Sequence, residues 1–514
     1  MNAYDLIVIG SGFGGTMAAA PAVLAGKRVL LIESGDWVGR GPHNWGPAGL
    51  SEKTPYYSHA NPFDVSAGGY GKALGTYACV GGASVFYGGV AMRMREADFL
   101  PDPLIDHGTG AAWPYRYAEL EPFYTQAENL LQVAGVTGAD PTEPPRSAPF
   151  PKTPGPLAPV SQRIADAATS LGLHPFRLPL AINYEADGGR TPCPACGTCD
   201  GFACAVQAKN DLSTVLIPKL QQSGLELVTN TTAVRLEHQD GHVTRVACVR
   251  KPSGELVHFS GRTIALAAGA LSTPRLLLAS GLDRVNPAGD VIGRYLMRHC
   301  NSVVMGLFNA PPAPNREFHK QIGIHDYYFG HPTVDKPRGR LGCLQQFATP
   351  EPALVRAFLP LGLGHLVAPI VSRTTGFIVM AEDRPRAENR ITIATPPAGP
   401  SGMDLPRATI SHNYDARDLA ARDALVKAAR RILKRAGAIA TYAHPIKTFS
   451  HALGTVRLGT TPTTSPLDET GAFRGLSNLY VTDASALPRS AGVNPSLTIA
   501  ANALRTGAQI LERL

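Results

Sequence analysis

Residues 1–35, MNAYDLIVIGSGFGGTMAAAPAVLAGKRVLLIESG, decide the fold of this chain. The run 5–9 is short and rich in β-branched side chains, which is typical of a buried strand. The sequence GSGFGG at 10–15 follows at once and has the spacing G-x-G-x-x-G. A helical run at 16–25 and a second apolar run then lead to Glu33. This order predicts the strand–turn–helix–strand unit of a dinucleotide-binding fold.

Each glycine of this motif has a physical role when a pyrophosphate is bound. Gly10 permits the tight turn, Gly12 has no Cβ and lets a phosphate approach the backbone, and Gly15 allows close helix–strand packing. The helix N-terminus offers free N–H groups and a positive dipole end. Glu33, 18 residues after Gly15, stands where a carboxylate takes ribose hydroxyls. We therefore expect a nucleotide site; the alternative is an ordinary βαβ unit, and the motif alone leaves FAD and NAD open.

The bulk composition is that of a globular protein with more than one domain. The chain has 514 residues, 44% of them hydrophobic and 17% charged, and this length exceeds one ordinary core. The net charge of +8 is mild and no dense Lys/Arg run occurs, which argues against nucleic-acid binding. No apolar run reaches the roughly 18 residues of a membrane span, and the N-terminus lacks the pattern of a secretory signal. We expect a cytoplasmic protein with no membrane span.

Two further stretches of small residues fit a flat ligand. The pairs Gly81-Gly82 and Gly88-Gly89 bracket an apolar turn, where the backbone is free to lie against a ring; a mobile loop is the alternative. The run 263–268 reads as a buried strand that ends at Gly269 and turns into a helix. A second strand-to-helix turn of this kind predicts further dinucleotide contact in a doubly wound sheet.

The segment from about 295 to 445 has a different character and predicts a second domain with an antiparallel sheet. One long helix at 415–436 accompanies the strand-like runs, which are 303–308, 376–380, 391–393 and 408–412. An aromatic and histidine-rich piece, 318–329, is interpreted as core, with the lining of a substrate pocket as the alternative.

Four of the eight cysteines, Cys193, Cys196, Cys199 and Cys204, fall within twelve residues. Thiolates at this spacing are able to hold zinc or an iron–sulfur cluster, but the run matches neither the paired zinc-finger spacing nor the ferredoxin spacing. Local disulfides and packed free thiols are the other two alternatives, and a cytoplasmic location disfavours stable disulfides. No metal is assigned, and these four residues stay the candidates.

The C-terminal region supplies two polar side chains beside tight turns. SHALGTVRLG, 450–459, places His451 before a turn, where a histidine is more often structural than catalytic. NLYVTDASALPRSAGVNPSLTIAANALR, 478–505, contains a strand, then Asp483, then a loop with Asn494, then a helix. Since a proline follows Asn494, the helix start is well defined and directs its dipole at an anionic or electron-rich group; a plain capped helix is the alternative.

Together these stretches resemble the glucose–methanol–choline (GMC) oxidoreductases, on the side that includes cholesterol oxidases and bacterial sugar dehydrogenases. The resemblance rests on the N-terminal glycine motif with Glu33, on VGGASVFYGG, LAAGALSTPRLLLASG and HALGT, and on the 478–505 stretch. It implies an α/β fold: a Rossmann-like FAD-binding domain with an interleaved substrate domain built on an antiparallel sheet. The implied FAD-binding parts are 1–155, 211–294 and 446–514, with a crossover and Cys-rich insert at 156–210 and the substrate domain at 295–445.

The resemblance also implies FAD as cofactor and assigns the residues that meet it. The pyrophosphate would meet the glycine motif, the ribose Glu33, and the adenine the backbone of Val234, while the 81–84 turn would lie beside the isoalloxazine. Asp483 and the helix start after Asn494 would reach the ribityl chain and the flavin C2 carbonyl region. The implied cofactor residues are Gly10, Gly12, Phe13, Gly14, Gly15, Glu33, Gly81, Gly82, Ser84, Val234, Gly269, Asp483, Ala484, Asn494, Pro495 and Ser496. Many relatives have Asn where this chain has Tyr87.

The catalytic pair implied by the resemblance is His451 and Asn494. His451 would take the hydroxyl proton of an alcohol and Asn494 would orient the hydroxyl, while a hydride passes from carbon to flavin N5. The expected substrate is a small-molecule alcohol (a sugar or glycoside, polyol, sterol or natural-product alcohol), with O2 or another acceptor reoxidising the flavin. The alternatives are a flavin-bearing lyase on the same fold, a nicotinamide enzyme and a non-catalytic binding protein.

Overall fold

The computed structural model describes residues 4–50, 54, 63–66, 74–186, 189–315, 317–334, 339–358, 362–394 and 405–514. Within these ranges the strands are β1 (Tyr4–Ile9), β2 (Val29–Ile32), β3 (Asp64–Ser66), β4 (Phe176–Arg177), β5 (Glu226–Val228), β6 (Thr231–Gln239), β7 (His242–Arg250), β8 (Glu255–Phe259), β9 (Gly261–Leu266), β10 (Cys300–Leu307), β11 (Ile322–Ile324), β12 (Gly342–Phe347), β13 (Thr374–Ala381), β14 (Arg390–Ile393), β15 (Ala408–Ser411), β16 (Ala440–Pro445) and β17 (Leu479–Val481). The helices are α1 (Phe13–Leu24), α2 (Pro47–Leu50), α3 (Pro103–Asp106), α4 (Tyr117–Leu130), α5 (Pro159–Thr169), α6 (Leu212–Val215), α7 (Ile217–Gln222), α8 (Ser272–Ala279), α9 (Pro352–Phe358), α10 (Leu363–Val371), α11 (Ala416–Arg435) and α12 (Ser496–Leu511).

A parallel sheet carries the N-terminal unit, in the strand order β17-β9-β1-β2-β5. Its central strands are apolar on both faces, as expected for a parallel sheet covered by helices. The first and last helices, α1 and α12, pack so closely that a Cβ added at Gly507 would lie 2.6 Å from the carbonyl oxygen of Ala18. The Rossmann-like sheet predicted from the first 35 residues is confirmed.

The helix after the glycine motif begins earlier than the sequence suggested. α1 starts at Phe13 rather than at residue 16, because the last residues of the motif already form its first turn. Pro21 lies inside the helix and does not end it. The N-terminus of the helix therefore lies within the motif itself.

A second, antiparallel sheet has the strand order β16-β10-β13-β12-β11-β4. The long helix α11 covers one face, with Leu425, Ala429 and Leu433 fully buried against the sheet. The predicted antiparallel sheet of the substrate region is confirmed. Its edge strand β4 comes from the 156–210 segment, outside the 295–445 range.

Two strands expected in that sheet lie elsewhere. β15 pairs with β14 on one side and with β3 on the other, forming a separate three-stranded sheet. The reason is packing, since Ile391 and Ile410 share a small apolar cluster with Phe63 and Val65. The division of the chain into five segments stays a prediction. No helix among the described residues is long and apolar enough to cross a bilayer.

Candidate active site

The glycine motif forms a tight turn beside open space. A Cβ at Gly10, whose φ is +100°, would lie 2.3 Å from the carbonyl oxygen of Ala267, and one at Gly15 would lie 1.8 Å from the Gly10 oxygen. A Cβ at Gly12 would meet nothing within 4 Å. Gly12 is also the N-cap of α1, so the N-cap residue has no side chain to cap the helix, and the described first turn contains no acidic residue. This arrangement fits a pyrophosphate that approaches the helix N-terminus along Gly12.

Glu33 is buried at the end of β2 and joins three segments. Its Oε2 accepts hydrogen bonds from the Ser11 backbone N–H (3.0 Å) and hydroxyl (2.6 Å), and its Oε1 accepts from the Gly35 N–H (3.0 Å). The Ser11 oxygen in turn accepts from the Gly81 N–H at 2.9 Å. Burial raises the pKa of Glu33, and the Ser11 hydroxyl opposes that rise. Glu33 therefore fixes the 81–84 turn against the glycine motif, and its contact with a ribose stays a prediction.

The 81–84 turn lies directly on the motif. A Cβ at Gly82 would lie 3.1 Å from the Gly12 Cα, and Gly81 and Gly82 both have positive φ. The Ser84 hydroxyl donates to the Gly81 carbonyl at 2.6 Å. The turn can therefore border a flat ligand with backbone alone. The Tyr87 hydroxyl donates instead to the carbonyl oxygen of Asn210 at 3.0 Å.

Asp483 brings the C-terminal region to the same place. Its carboxylate accepts from the Gly269 N–H at 2.7 Å and from the Ser485 N–H at 2.8 Å, and burial raises its pKa. A Cβ at Gly14 would lie 2.7 Å from the Asp483 Cα. Ala484 follows directly, and its carbonyl accepts from the Gly454 N–H at 3.1 Å. The predicted cofactor residues from four distant stretches thus converge on one turn.

Val234 lies on a different sheet, formed by β6, β7 and β8. It falls at a bulge between the pairs Ala233–Cys248 and Arg235–Ala247, so it has no partner in the ladder. A bulge frees a residue from strand pairing, as a backbone contact with adenine would need. That contact stays a prediction.

His451 follows β16 and contacts a second imidazole. The distance between the Nδ1 atoms of His451 and His299 is 3.1 Å, and the two rings are nearly perpendicular, at 83°. Burial first, and then electrostatic interactions with His299 and Lys320, lower the pKa of His451 to about 3. The imidazole is therefore neutral in the resting protein and able to accept a proton.

His299 is buried and held in a left-handed conformation with φ of +60°. Its backbone N–H donates to Asp383 Oδ1 at 3.0 Å, and its carbonyl accepts from the Tyr414 hydroxyl at 2.7 Å. Its Nε2 lies 3.0 Å from the carbonyl oxygen of Ser490. No motif or spacing in the sequence marks this histidine.

Asn494 precedes α12 and is oriented by the antiparallel sheet. Its Oδ1 accepts from Gln345 Nε2 at 2.6 Å, which leaves both Nδ2 hydrogens for another acceptor. Gln345 is fully buried on β12 and was also missed by sequence reasoning. Pro495 is the N-cap of α12, and the Ser496 hydroxyl donates to the Val90 carbonyl at 3.1 Å.

A buried lysine close to His451 comes from the aromatic segment. The Lys320 ammonium donates to both carboxylate oxygens of Asp200, at 3.0 and 2.9 Å. Within the same segment Phe318, Tyr327 and Tyr328 are buried, as expected for core, while Phe329 is exposed.

The four clustered cysteines are free thiols in the structure, and their state as cluster, zinc site, disulfides or packed thiols stays a prediction. Burial raises the pKa of Cys193 to about 11 and that of Cys199 to about 12. No group of three His, Cys, Asp or Glu side chains in the described ranges has an arrangement that could hold a metal ion. The Lys209 ammonium instead ties this segment to the 81–90 region, donating to the carbonyls of Tyr87 (2.7 Å), Cys199 (3.1 Å) and Phe202 (2.7 Å).

Comparison with known proteins agrees with this geometry. Residues 76–301 match the N-terminal and residues 385–503 the C-terminal family profile described as GMC oxidoreductase. The chain is 31% identical to paromamine 6'-oxidase of Streptomyces fradiae, over 98% of this chain and 90% of that protein. It is 30% identical to 6'''-hydroxyparomomycin C oxidase of Streptomyces lividus, over 99% and 92%.

Solved structures share the fold across the whole chain. Pyridoxine 4-oxidase from Mesorbium loti superimposes with a TM-score of 0.66 at 20% identity, covering 99% of each chain. A formate oxidase superimposes with a TM-score of 0.68 at 15% identity, covering 100% of this chain and 98% of that one. The glycine motif alone was compatible with FAD or NAD. The match to the GMC family profiles decides between them, and the cofactor is FAD. The chain belongs to the GMC oxidoreductase family and is an FAD-dependent enzyme acting on CH–OH groups.

Proposed function

We propose that the enzyme oxidises a sugar-type alcohol to the carbonyl compound, with His451 as base and Asn494 as the group that orients the hydroxyl. The observation that carries this proposal is that two side chains 43 positions apart each contact a buried polar side chain, one just before β10 and one on β12. His451 contacts His299, and Asn494 contacts Gln345. Each side chain is thereby oriented while part of it stays unburied.

The reaction divides between the bound cofactor and the protein. FAD, held by the glycine motif and the 81–84 turn, would supply the acceptor for the hydride that leaves the substrate carbon. His451, being neutral, takes the hydroxyl proton as the C=O bond forms. Asn494 donates from Nδ2 to the substrate oxygen and holds the C–H bond in one orientation. On the protein side the reaction leaves a carbonyl compound and a protonated His451, and the two electrons would pass finally to O2 or another acceptor.

The substrate class is supported by the names of similar proteins. Two relatives that cover nearly all of the chain are oxidases of paromamine and of 6'''-hydroxyparomomycin C. A third, 25% identical over 99% of this chain, is 2-methyl-1,2-propanediol dehydrogenase of Mycolicibacterium austroafricanum. We therefore place a hydroxyl of an amino sugar or a related sugar-like molecule first among the candidates.

The test is anaerobic reduction of the flavin against a panel of alcohols. The panel contains paromamine, fructose and 2-methyl-1,2-propanediol, and loss of the oxidised flavin absorbance reports hydride transfer. We expect at least one sugar-type alcohol to bleach the flavin, and admission of air then tells an oxidase from a dehydrogenase. A flavin that stays oxidised while substrate is consumed would contradict the proposal and indicate a lyase.

A further inference from the structure

The hydrogen-bond chain behind His451 determines which of its ring nitrogens carries hydrogen. We propose that His299 is a positioning residue that fixes the Nδ1–H tautomer of His451, so that a bare Nε2 is presented to the substrate hydroxyl. This inference rests on the proposed role of His451 as base and extends it to a residue that no motif identifies.

The assignment starts from a backbone carbonyl, which can only accept. The Ser490 oxygen lies 3.0 Å from His299 Nε2, so Nε2 of His299 carries the hydrogen. In a neutral imidazole the other nitrogen is then an acceptor, and burial keeps His299 neutral by lowering its pKa. Since His299 Nδ1 accepts, His451 Nδ1 at 3.1 Å must be the donor. Nε2 of His451 is left with a lone pair.

The conformation of His299 supports a role in orientation. A positive φ is uncommon outside glycine and is unfavourable, so it persists where surrounding contacts impose it. Here three such contacts exist: Asp383 accepts from the backbone N–H, Tyr414 donates to the carbonyl, and Ser490 accepts from the ring. The ring is thus held at one angle to His451.

The same series of hydrogen bonds, from His451 through His299 to Ser490, also stabilises His451 after it has taken the substrate proton. When Nε2 of His451 takes the substrate proton, Nδ1–H continues to donate to His299, now as a charge-assisted hydrogen bond, which is stronger. No proton has to pass to His299, whose own hydrogen stays on Nε2. The opposite tautomer of His451 would direct an N–H at the substrate hydroxyl and place two bare Nδ1 atoms 3.1 Å apart.

The tautomers can be measured in the resting holoenzyme, without a substrate. Two-bond proton–nitrogen NMR of enzyme labelled with nitrogen-15 histidine tells protonated from bare ring nitrogens among the 15 histidines, and His451→Ala assigns the signal. His319 is an internal reference, because its Nδ1 donates to the Glu317 carbonyl (2.8 Å) and its Nε2 accepts from the Thr349 N–H (3.0 Å). We expect His451 to show the same pattern as His319, and His299 the reverse. A protonated Nε2 on His451 would overturn the proposal.

Two substitutions at position 299 connect the tautomer to the rate. His299→Phe keeps the ring volume but removes the acceptor, and we expect flavin reduction to slow by about 100-fold with KM little changed. His299→Asn retains an acceptor near the Nδ1 position and tolerates a positive φ, so it should recover most of the rate. Flavin content and thermal unfolding report whether each variant folds, and if His299→Phe does not fold, the wild-type NMR pattern still decides.

The outcomes separate this inference from the proposed function. If no alcohol of the panel reduces the flavin, the proposed function is wrong. The tautomer of His451 is still tested by NMR, because that measurement needs no substrate. If an alcohol reduces the wild-type flavin and His299→Phe reduces equally fast, the proposed function survives and the role of His299 does not.

Discussion

The buried Lys320 ammonium affects the pH range in which His451 is neutral and able to accept a proton. The pKa of His451 is lowered to about 3, first by burial and then by His299 and Lys320, from an ordinary value of 6.5. A lowered pKa keeps the imidazole neutral as the pH falls, so it still accepts protons where an ordinary histidine would already be charged. We expect kcat/KM for flavin reduction to fall on the acid side only well below pH 6.5. Anaerobic stopped-flow measurements over a range of pH would show where it falls.

Removal of the Lys320 charge should shift the acid limb of the pH profile of kcat/KM, the range in which kcat/KM falls as the pH is lowered. In Lys320→Met the positive charge is gone and the Asp200 carboxylate loses its partner, and both changes raise the pKa of His451. We expect the acid limb of kcat/KM to move to higher pH, with the limiting rate at neutral pH changed less than the position of the limb. Lys219→Met, at an exposed lysine on α7, is the control and should leave the profile unchanged. Identical acid limbs in wild type and Lys320→Met would contradict this account.

For single residues of the candidate site, the sequence predicted those that lie in motifs and missed those that do not. Glu33, Asp483 and the glycines could be proposed because local spacing encodes their geometry. His299 stands 152 positions from His451, and Gln345 stands 149 positions from Asn494. Such contacts form only when distant segments of the chain pack together in the folded protein, so no local pattern records them.

The strand–turn–helix element at the N-terminus makes opposite predictions for two of its glycines. Gly12→Ala places a methyl group in open space, so the fold should be kept, but the methyl occupies the path of the pyrophosphate. We expect purified Gly12→Ala to retain its circular dichroism spectrum and unfolding temperature as apoprotein while losing bound flavin.

The matched variant is Gly15→Ala, whose Cβ would lie 1.8 Å from the Gly10 carbonyl oxygen. The clash is with backbone, so helix and strand must separate, at a cost of about 3 kcal/mol or more. We expect low soluble yield and a lower unfolding temperature even without flavin. If both variants lost flavin with equal loss of fold, Gly12 would have no specific role at the cofactor.

Helix α11 carries an acid whose burial destabilises the protein at neutral pH. Burial, and then the nearby Asp383 charge, raise the pKa of Asp418 to about 8 from 3.8. The folded state therefore keeps a proton that the unfolded chain releases, and stability falls as the pH rises between those two values. Asp418→Asn should raise Tm by about 2 °C at pH 8 and by much less at pH 5. Asp423→Asn, on the exposed face of α11, should change Tm little at either pH.

Most elements were predictable because their apolar periodicity is local, but the partners of some strands were not. β3 has three residues and no hydrophobic alternation, yet it completes the sheet of β14 and β15. The Asp64–Arg407 ion pair that borders it joins positions 343 residues apart. A strand this short acquires its register from its neighbours, so its sequence alone does not specify a sheet.

Across the whole molecule, a buried ion pair joins the segment of Asn494 to the antiparallel sheet. Arg489 donates to Glu382 at 2.8 Å, and both side chains are 1% exposed. Arg489→Met would leave the Glu382 carboxylate buried without its partner, which costs about 3 to 5 kcal/mol. We expect a marked loss of Tm together with slower flavin reduction, because the Asn494 loop loses its anchor.

The double variant Arg489→Met/Glu382→Leu distinguishes the two effects. Removing both charges should recover much of the Tm lost in the single variant. Arg250→Met is the surface control, since its pair with Glu255 has side chains 45% and 55% exposed, and such pairs contribute little. A double variant as unstable as Arg489→Met would show that the charge left on Glu382 is not the cause.

The order of strands in the parallel sheet also bears on how the protein is made. About 210 residues of chain separate the end of β9 at Leu266 from β17, the strand that completes the sheet beside it and begins at Leu479. At a synthesis rate of roughly 5 to 20 residues per second, the nascent chain would expose the edge of β9 for roughly 10 to 40 seconds. Flavin capture must then follow translation rather than accompany it, and holdase chaperones and free FAD in the expression host should raise the yield of active protein.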